Sequence, residues 1–250
     1  MDRLIYTAVS GMTDSMTRER VIASNMANAQ TVGFKAEMLY TTPITLKGPS
    51  LEARAMAEGE VKGANMDAGA MTATGRKLDI AMRGDDLMAV QAQDGTEAYT
   101  RRGDLTVSPT GVLENGDGRP VIGNGGPITV PLDAQISLGP DGSVLVANPE
   151  TPNLPPQPVD KIKLASPAGS SISKGLDGLF RVVGGGVLPN DENGQVVVGS
   201  LEQSNVNPTD VLTEMIRSQR LFDIRTKLIA TARDVDQSST ALLRISGTSG

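Results

Sequence analysis

A serine and a lysine at the spacing of an acyl-transfer nucleophile stand at Ser171, Ile172, Ser173 and Lys174, which spell S-x-x-K. In such a motif the amine can accept the hydroxyl proton, but here it lies in a Gly/Ser-rich stretch without a K-T-G companion, and chance accounts for it. Gly116, Gly118, Gly123, Gly125 and Gly126 are dense enough to cradle a phosphate, yet no helix pattern follows whose N-terminus would attract the anion, so they read as turn glycines. The Asp-Gly and Asn-Gly pairs lack the alternating carboxylates and distal Glu of a calcium loop. The chain has no His and no Cys, which removes the commonest metal ligand, general base and thiolate. The expectation is a protein that is no enzyme and takes no metal or cofactor.

Composition points to a different kind of work. At 250 residues and 38% hydrophobic, the chain can bury one or two real cores. A net charge of −6, with three Phe, three Tyr and no Trp, argues against nucleic acid, which wants a basic surface and aromatic platforms. No stretch approaches the roughly 20 apolar residues of a membrane span, and the N-terminus lacks the pattern of a cleaved signal peptide.

The elements that must position any function divide into three kinds. Residues 72 to 206 hold 20 Gly and 12 Pro between short apolar runs, which reads as an all-β body, a sandwich or irregular barrel, over 71–206. Its expected strands include Leu78–Met82, Leu87–Gln91, Ala98–Arg101, Ile136–Leu138, Val144–Ala147, Ile162–Ala165, Phe180–Val183 and Val196–Val198. The Pro-rich piece Asn148–Pro158 reads as a surface connection. Residues 35–70 show no clear period, so they read as an extended connecting arm with hairpin-like segments, against the alternative of a flexible linker.

Both ends read as long helices. Asn207 can cap, Pro208 suits the first helical position, and no Gly or Pro follows until Gly247, which places a helix in 207–250. Within it Leu221, Ile224, Leu228, Val235, Leu242 and Ile245 recur at steps of three and four or their sum, a heptad pattern that leaves Arg225 outside the seam. In 1–34, Ile5, Val9, Met12, Met16, Ala23 and Met26 follow similar steps. The fold expected is α+β, with long N- and C-terminal helices forming an antiparallel coiled-coil-like domain joined by extended arms to the β body. Apolar residues off that seam, among them Val21, Ile22, Leu212 and Ile216, would mark an interaction surface, unless the hairpin folds back on the body to close a monomer. Asn25 and Asn28, three apart, share a helix face and are expected to hydrogen-bond across helices or to a neighbouring subunit's backbone, fixing register.

Asn25-Met26-Ala27-Asn28 followed by Thr31-Val32-Gly33-Phe34-Lys35 resembles the N-L-A-N and T-P-G-F signature of bacterial flagellar rod and hook proteins, with Met26 for Leu and Val32 for Pro. Leu201-Glu202-Gln203-Ser204-Asn205-Val206-Asn207-Pro208 is similar to that family's L-E-G-S-N-V-N-P, with Gln203 for Gly. Arg76 to Ala81, Ala98 to Gly103, and Gly118 to Val121 with Gly126 to Pro131 resemble its β-domain, while Leu87 and Met88 stand where relatives tend to carry an aromatic pair. The opening Met1 to Ala8 looks more like a proximal-rod than a distal-rod member. The resemblance implies a structural subunit of the basal-body rod, its partners being other rod subunits of the proximal and distal rod and the flagellar type III export apparatus. It further implies export without a cleaved signal, and assembly across the periplasm into a helical hetero-polymer that transmits torque from motor to hook. The alternatives are a distal-rod or hook subunit, or a β-rich binding module with a helical stalk.

Overall fold

The computed structural model describes the backbone of residues 2–47, 52–132, 134–147 and 155–246, and the side chains of residues 9–40, 63–132, 134–147, 155–231, 233–235 and 237–238. The chain forms two units: Met1–Ala27, Glu37–Lys62 and Asn207–Gly250 make a helical unit, and Asn28–Ala36 with Gly63–Val206 make a β unit.

Turn chemistry organises the β unit. At Asp141-Gly142 the carboxylate accepts from the Ser143 amide and hydroxyl at 3.2 and 2.7 Å, and the Gly142 amide donates to the Gly139 carbonyl, folding Gln135–Leu138 back against Ser143–Ala147. Gln157–Lys161 completes that three-stranded antiparallel sheet, so the end of the proline-rich connection is a strand. A five-stranded antiparallel sheet runs in the order Leu164–Ala165, Leu87–Gln91, Glu97–Thr100, Phe180–Val182, Ile172–Lys174. The β unit also contains two-stranded ribbons, among them Val196–Val198 with Ile80–Met82 and Ser200–Glu202 with Met71–Ala73.

The run Leu87-Met88-Ala89-Val90 is fully buried because its sheet is covered on both faces. Met88 and Val90 enter the larger core with Ile80, Leu105, Leu113, Val121 and Val144, while Leu87 and Ala89 join Tyr99, Phe180 and Leu188 in a second one. Side chains alternate along a strand, so a strand apolar at every position is a strand with two cores. Leu87 and Met88 thus close the packing without an aromatic pair.

In the helical unit, α1 spans Asp2–Ala27 and α2 spans Pro208–Ser246. Asn207 caps α2, its side-chain oxygen accepting from the Thr209 amide at 3.0 Å, with Pro208 at the first helical position. Between the helices in sequence, β1 (Glu37–Lys47) and β2 (Glu52–Ala64) pair as a hairpin.

The expected coiled-coil-like pair is not formed. The helices are unequal, 26 residues against 39, and the residues assigned to the seam are turned outward: Val9, Met16 and Met26 on α1, and Leu221, Ile224, Leu228 and Val235 on α2, are all exposed. α1 instead buries Asp14, Ser15, Val21, Ile22 and Asn25, a face roughly 140° around the helix from the predicted one at about 100° per residue. Polar side chains bridge the two helices. Arg225, which the heptad left outside, donates to the Gly11 carbonyl and the Ser15 hydroxyl and lies 3.9 Å from Asp14, while Arg18 approaches Glu214 at 3.7 Å. Apolar periodicity marks a stripe to be covered; it does not say that the other helix of the same chain covers it.

Candidate assembly surface and buried clasp

Two features stand out: an outward apolar surface on the helices, and a charged cluster buried in the β unit. On α1 the stripe holds Val9 and Met16, both more than half exposed, with Ala23 and Met26 also exposed and Met12 partly covered. On α2 it holds Leu221, Ile224, Leu228 and Val235, at 40 to 62% exposure. Leu212 and Ile216 form a second exposed patch, roughly 130° around α2 from the first. The side chains of Ile5, Leu242 and Ile245 lie outside the described residues. Val21 and Ile22, assigned from sequence to the outside, are buried. Apolar surface of this extent makes the helices the candidate binding face.

Asn25 works within the chain. Its side-chain oxygen accepts from the Glu37 amide at 2.8 Å and its amide nitrogen donates to the Glu37 carbonyl at 3.1 Å, so one buried side chain satisfies both backbone groups at the start of β1. Ser24 donates to the Glu37 carboxylate at 2.9 Å. Asn28 lies beyond the helix end, where it accepts from the Thr31 hydroxyl at 3.1 Å. The helix face that the two asparagines were expected to share is therefore only Asn25's.

The clasp was not read from sequence. Glu202 is 1% exposed, and its two carboxylate oxygens are divided between two buried cations: Oε1 accepts from Lys35 Nζ at 2.7 Å and from the Gly69 amide at 2.8 Å, and Oε2 accepts from Arg101 Nε at 2.6 Å. Lys35 also donates to the Asp67 carbonyl at 2.7 Å and the Met66 carbonyl at 3.3 Å. Arg101 directs three of its four remaining donors to the Met82, Gly84 and Asp86 carbonyls at 2.9, 2.7 and 3.0 Å. Two cations face one anion, and five backbone carbonyls take up the excess. Desolvation pulls the Lys35 ammonium below its ordinary value despite Glu202 beside it. Desolvation pushes the Glu202 carboxyl up, but the hydrogen bonds from Lys35 and Gly69 and the charge of Arg101 outweigh it and hold Glu202 below the usual carboxylate range.

Neighbouring residues extend the clasp. Asn205 accepts from the Ala36 amide at 2.8 Å and donates to the Asn65 and Asp67 carbonyls at 2.8 and 2.9 Å. Gly33 sits at φ +68°, its amide donating to the Glu202 carbonyl at 2.7 Å, and a Cβ there would lie 2.4 Å from the Arg101 carbonyl group. A Cβ on Gly69 would lie 1.9 Å from the Gln203 carbonyl oxygen. Lys174, the lysine of the S-x-x-K match, donates to the Lys35 carbonyl at 2.8 Å and covers the Phe34 ring at 3.2 Å, so it braces the clasp. Among the described residues no group of acidic side chains could hold a metal, and no helix is long and apolar enough to cross a membrane.

Comparison with known proteins meets this geometry region by region. The family described as Flagella basal body rod protein matches residues 5–35, the Flagellar hook protein FlgE/F/G D1 domain matches 81–146, and the Flagellar basal body rod FlgEFG protein C-terminal matches 197–242. Lys35, Arg101 and Glu202 come one from each. The chain is 38% identical to the flagellar basal-body rod protein FlgF of Salmonella typhimurium and 39% identical to that of Escherichia coli, in each case over 98% of this chain and the whole of the relative. It is 33% identical to the flagellar basal-body rod protein FlgG of Bacillus subtilis over the same shares.

Proposed function

The chain belongs to the flagellar basal-body rod protein family and is a structural subunit of that rod, and from this premise we propose that its place is the proximal rod, where it polymerises through the exposed faces of its helices. Full-length identity of 38 to 39% to two FlgF proteins, against 33% to a FlgG, supports this reading, as does the proximal-rod character of the opening Met1 to Ala8. The residues proposed to meet neighbouring subunits are those of the two outward stripes, Val9, Met12, Met16, Ala23 and Met26 on α1 and Leu221, Ile224, Leu228 and Val235 on α2, continued by Ile5, Leu242 and Ile245. A helical tube requires heterologous contacts, in which one patch meets a different one, and two helices with unlike stripes furnish them. Burial against neighbours supplies free energy that an isolated amphipathic helix lacks.

In this reading the subunit is no enzyme and needs no cofactor. It leaves the cell through the flagellar type III export apparatus without a cleaved signal, joins other rod subunits in the periplasm, and transmits torque as part of a tube. The side chain of Leu228, 62% exposed in the single chain, is the test. Leu228→Asp is expected to leave the circular dichroism and melting of the purified chain unchanged and to abolish its incorporation into basal bodies seen by electron microscopy. Normal rods from that variant would remove the α2 stripe from the interface. Labelled wild-type subunits found only in the distal segment of the rod would overturn the proximal placement.

A further inference from the structure

The clasp does something that neither packing nor polymerisation through helices requires, and the deduction rests on the rod reading above. The chain passes between its two units at residues 27/28, 36/37, 62/63 and 206/207. Beside three of those four passages a residue is held directly by the clasp: Ala36 through Asn205, the Asn65 to Gly69 segment through Lys35, Glu202 and Asn205, and the 202–205 segment through all of these. Its members lie far apart in sequence, with Lys35 and Glu202 separated by 167 positions and Arg101 and Glu202 by 101. Contacts of such separation carry a loop-closure cost that pairing of the intervening strands lowers.

We propose that the Lys35, Arg101 and Glu202 cluster is a latch that makes the helical unit competent to assemble only when the body has closed. Once Glu202 takes both cations, the passages beside β1, β2 and α2 are fixed in register to one another. Without the carboxylate, two buried cations lose their common partner, and the segments they hold come away from the body while its two apolar cores stay shut. The depressed carboxyl of Glu202 fits a group whose ionised form the closed latch stabilises.

Hydrogen exchange on the full-length chain, read by mass spectrometry, separates latch opening from global unfolding. Glu202→Gln keeps the shape and removes the charge. The expected result is exchange at least tenfold faster at the Gly33, Gly69, Gln203 and Asn205 amides, with the Val90, Leu113 and Ile128 amides protected as before, and with loss of incorporation into rods. Should that variant not fold, Lys35→Gln, which keeps the Arg101 pair, is measured in its place with the same expectation. Clasp amides that exchange at the wild-type rate, or that speed up while rods still form normally, overturn the latch. A wild-type chain that never enters rods overturns the rod reading instead, and exchange then decides alone whether the clasp opens as a unit.

Discussion

Gly33→Ala tests the clasp by shape alone, without touching a charge. At φ +68° an alanine carries left-handed strain of roughly 1–2 kcal/mol. Its Cβ would also stand 2.4 Å from both carbon and oxygen of the Arg101 carbonyl and 2.5 Å from the Arg102 nitrogen, backbone atoms that cannot swing aside. Relieving that overlap takes a backbone shift of the overpacking kind, roughly 1–3 kcal/mol, and it stretches the 2.7 Å bond from Gly33 to the Glu202 carbonyl, worth about 1 kcal/mol. Together the change costs about 3–6 kcal/mol, a large share of the roughly 5–15 kcal/mol that holds an ordinary domain. Gly95→Ala is the matched control, because Gly95 has φ +81° with nothing within 4 Å of its would-be Cβ, so only the strain applies. Urea unfolding followed by circular dichroism should show the Gly33→Ala midpoint falling at least twice as far as that of Gly95→Ala, at similar slopes. Equal shifts would mean that the 33–34 segment moves freely over Arg101 and that the clasp does not hold it.

Acid should weaken the fold through Glu202: its folded carboxyl titrates below the ordinary 4.5, so the unfolded chain binds that proton more readily, and the stability it confers, complete above that value, is lost as pH falls through the depressed one. Stability measured from pH 6 to 3 should therefore drop in wild type and drop less steeply in Glu202→Gln, and parallel curves would assign the acid sensitivity to other carboxylates. Lys35 acts at the other end, since burial penalises its ammonium and raising the pH through its lowered value relieves the penalty, so Lys35→Met should remove an alkaline gain in stability. Asn25→Leu removes the side chain that binds both the amide and the carbonyl of Glu37 and should cost about 1–3 kcal/mol in thermal unfolding, with faster exchange at the Glu37 amide; unchanged exchange there would show that another protein group protects that amide.

Strands built from apolar runs were legible in the sequence. Leu87–Gln91 and Val196–Val198 have the bounds expected of them, because unbroken apolar residues between turn pairs leave little choice. Met71–Ala73, Ile172–Lys174 and Ser200–Glu202 were not, since the first is exposed throughout and the others mix polar and charged residues whose pairing comes from backbone ladders and not from side-chain pattern. Helix spacing revealed the stripes but not their direction: Arg225 has a guanidinium long enough to reach the Gly11 carbonyl and the Ser15 hydroxyl, and Arg18 approaches Glu214, so polar residues that an apolar template ignores link the helices. The clasp had only a motif-level signal. Lys35, Arg101 and Glu202 each fall in a segment resembling the rod family, yet charged residues belong by default on the surface, and no periodicity brings positions 35, 101 and 202 together.

That the clasp is charged at all bears on what a rod subunit must do. An apolar contact of the same volume would be as stable or more so, because two desolvated cations and an anion repay their lost hydration only through good geometry. A carboxylate contact is directional, however, and one whose two oxygens receive Nζ and Nε at 2.7 and 2.6 Å admits one register for the three segments that converge on it. The clasp therefore sets one register for the 33–36, 65–69 and 202–205 segments of the β unit, which an apolar contact of equal stability would define less sharply.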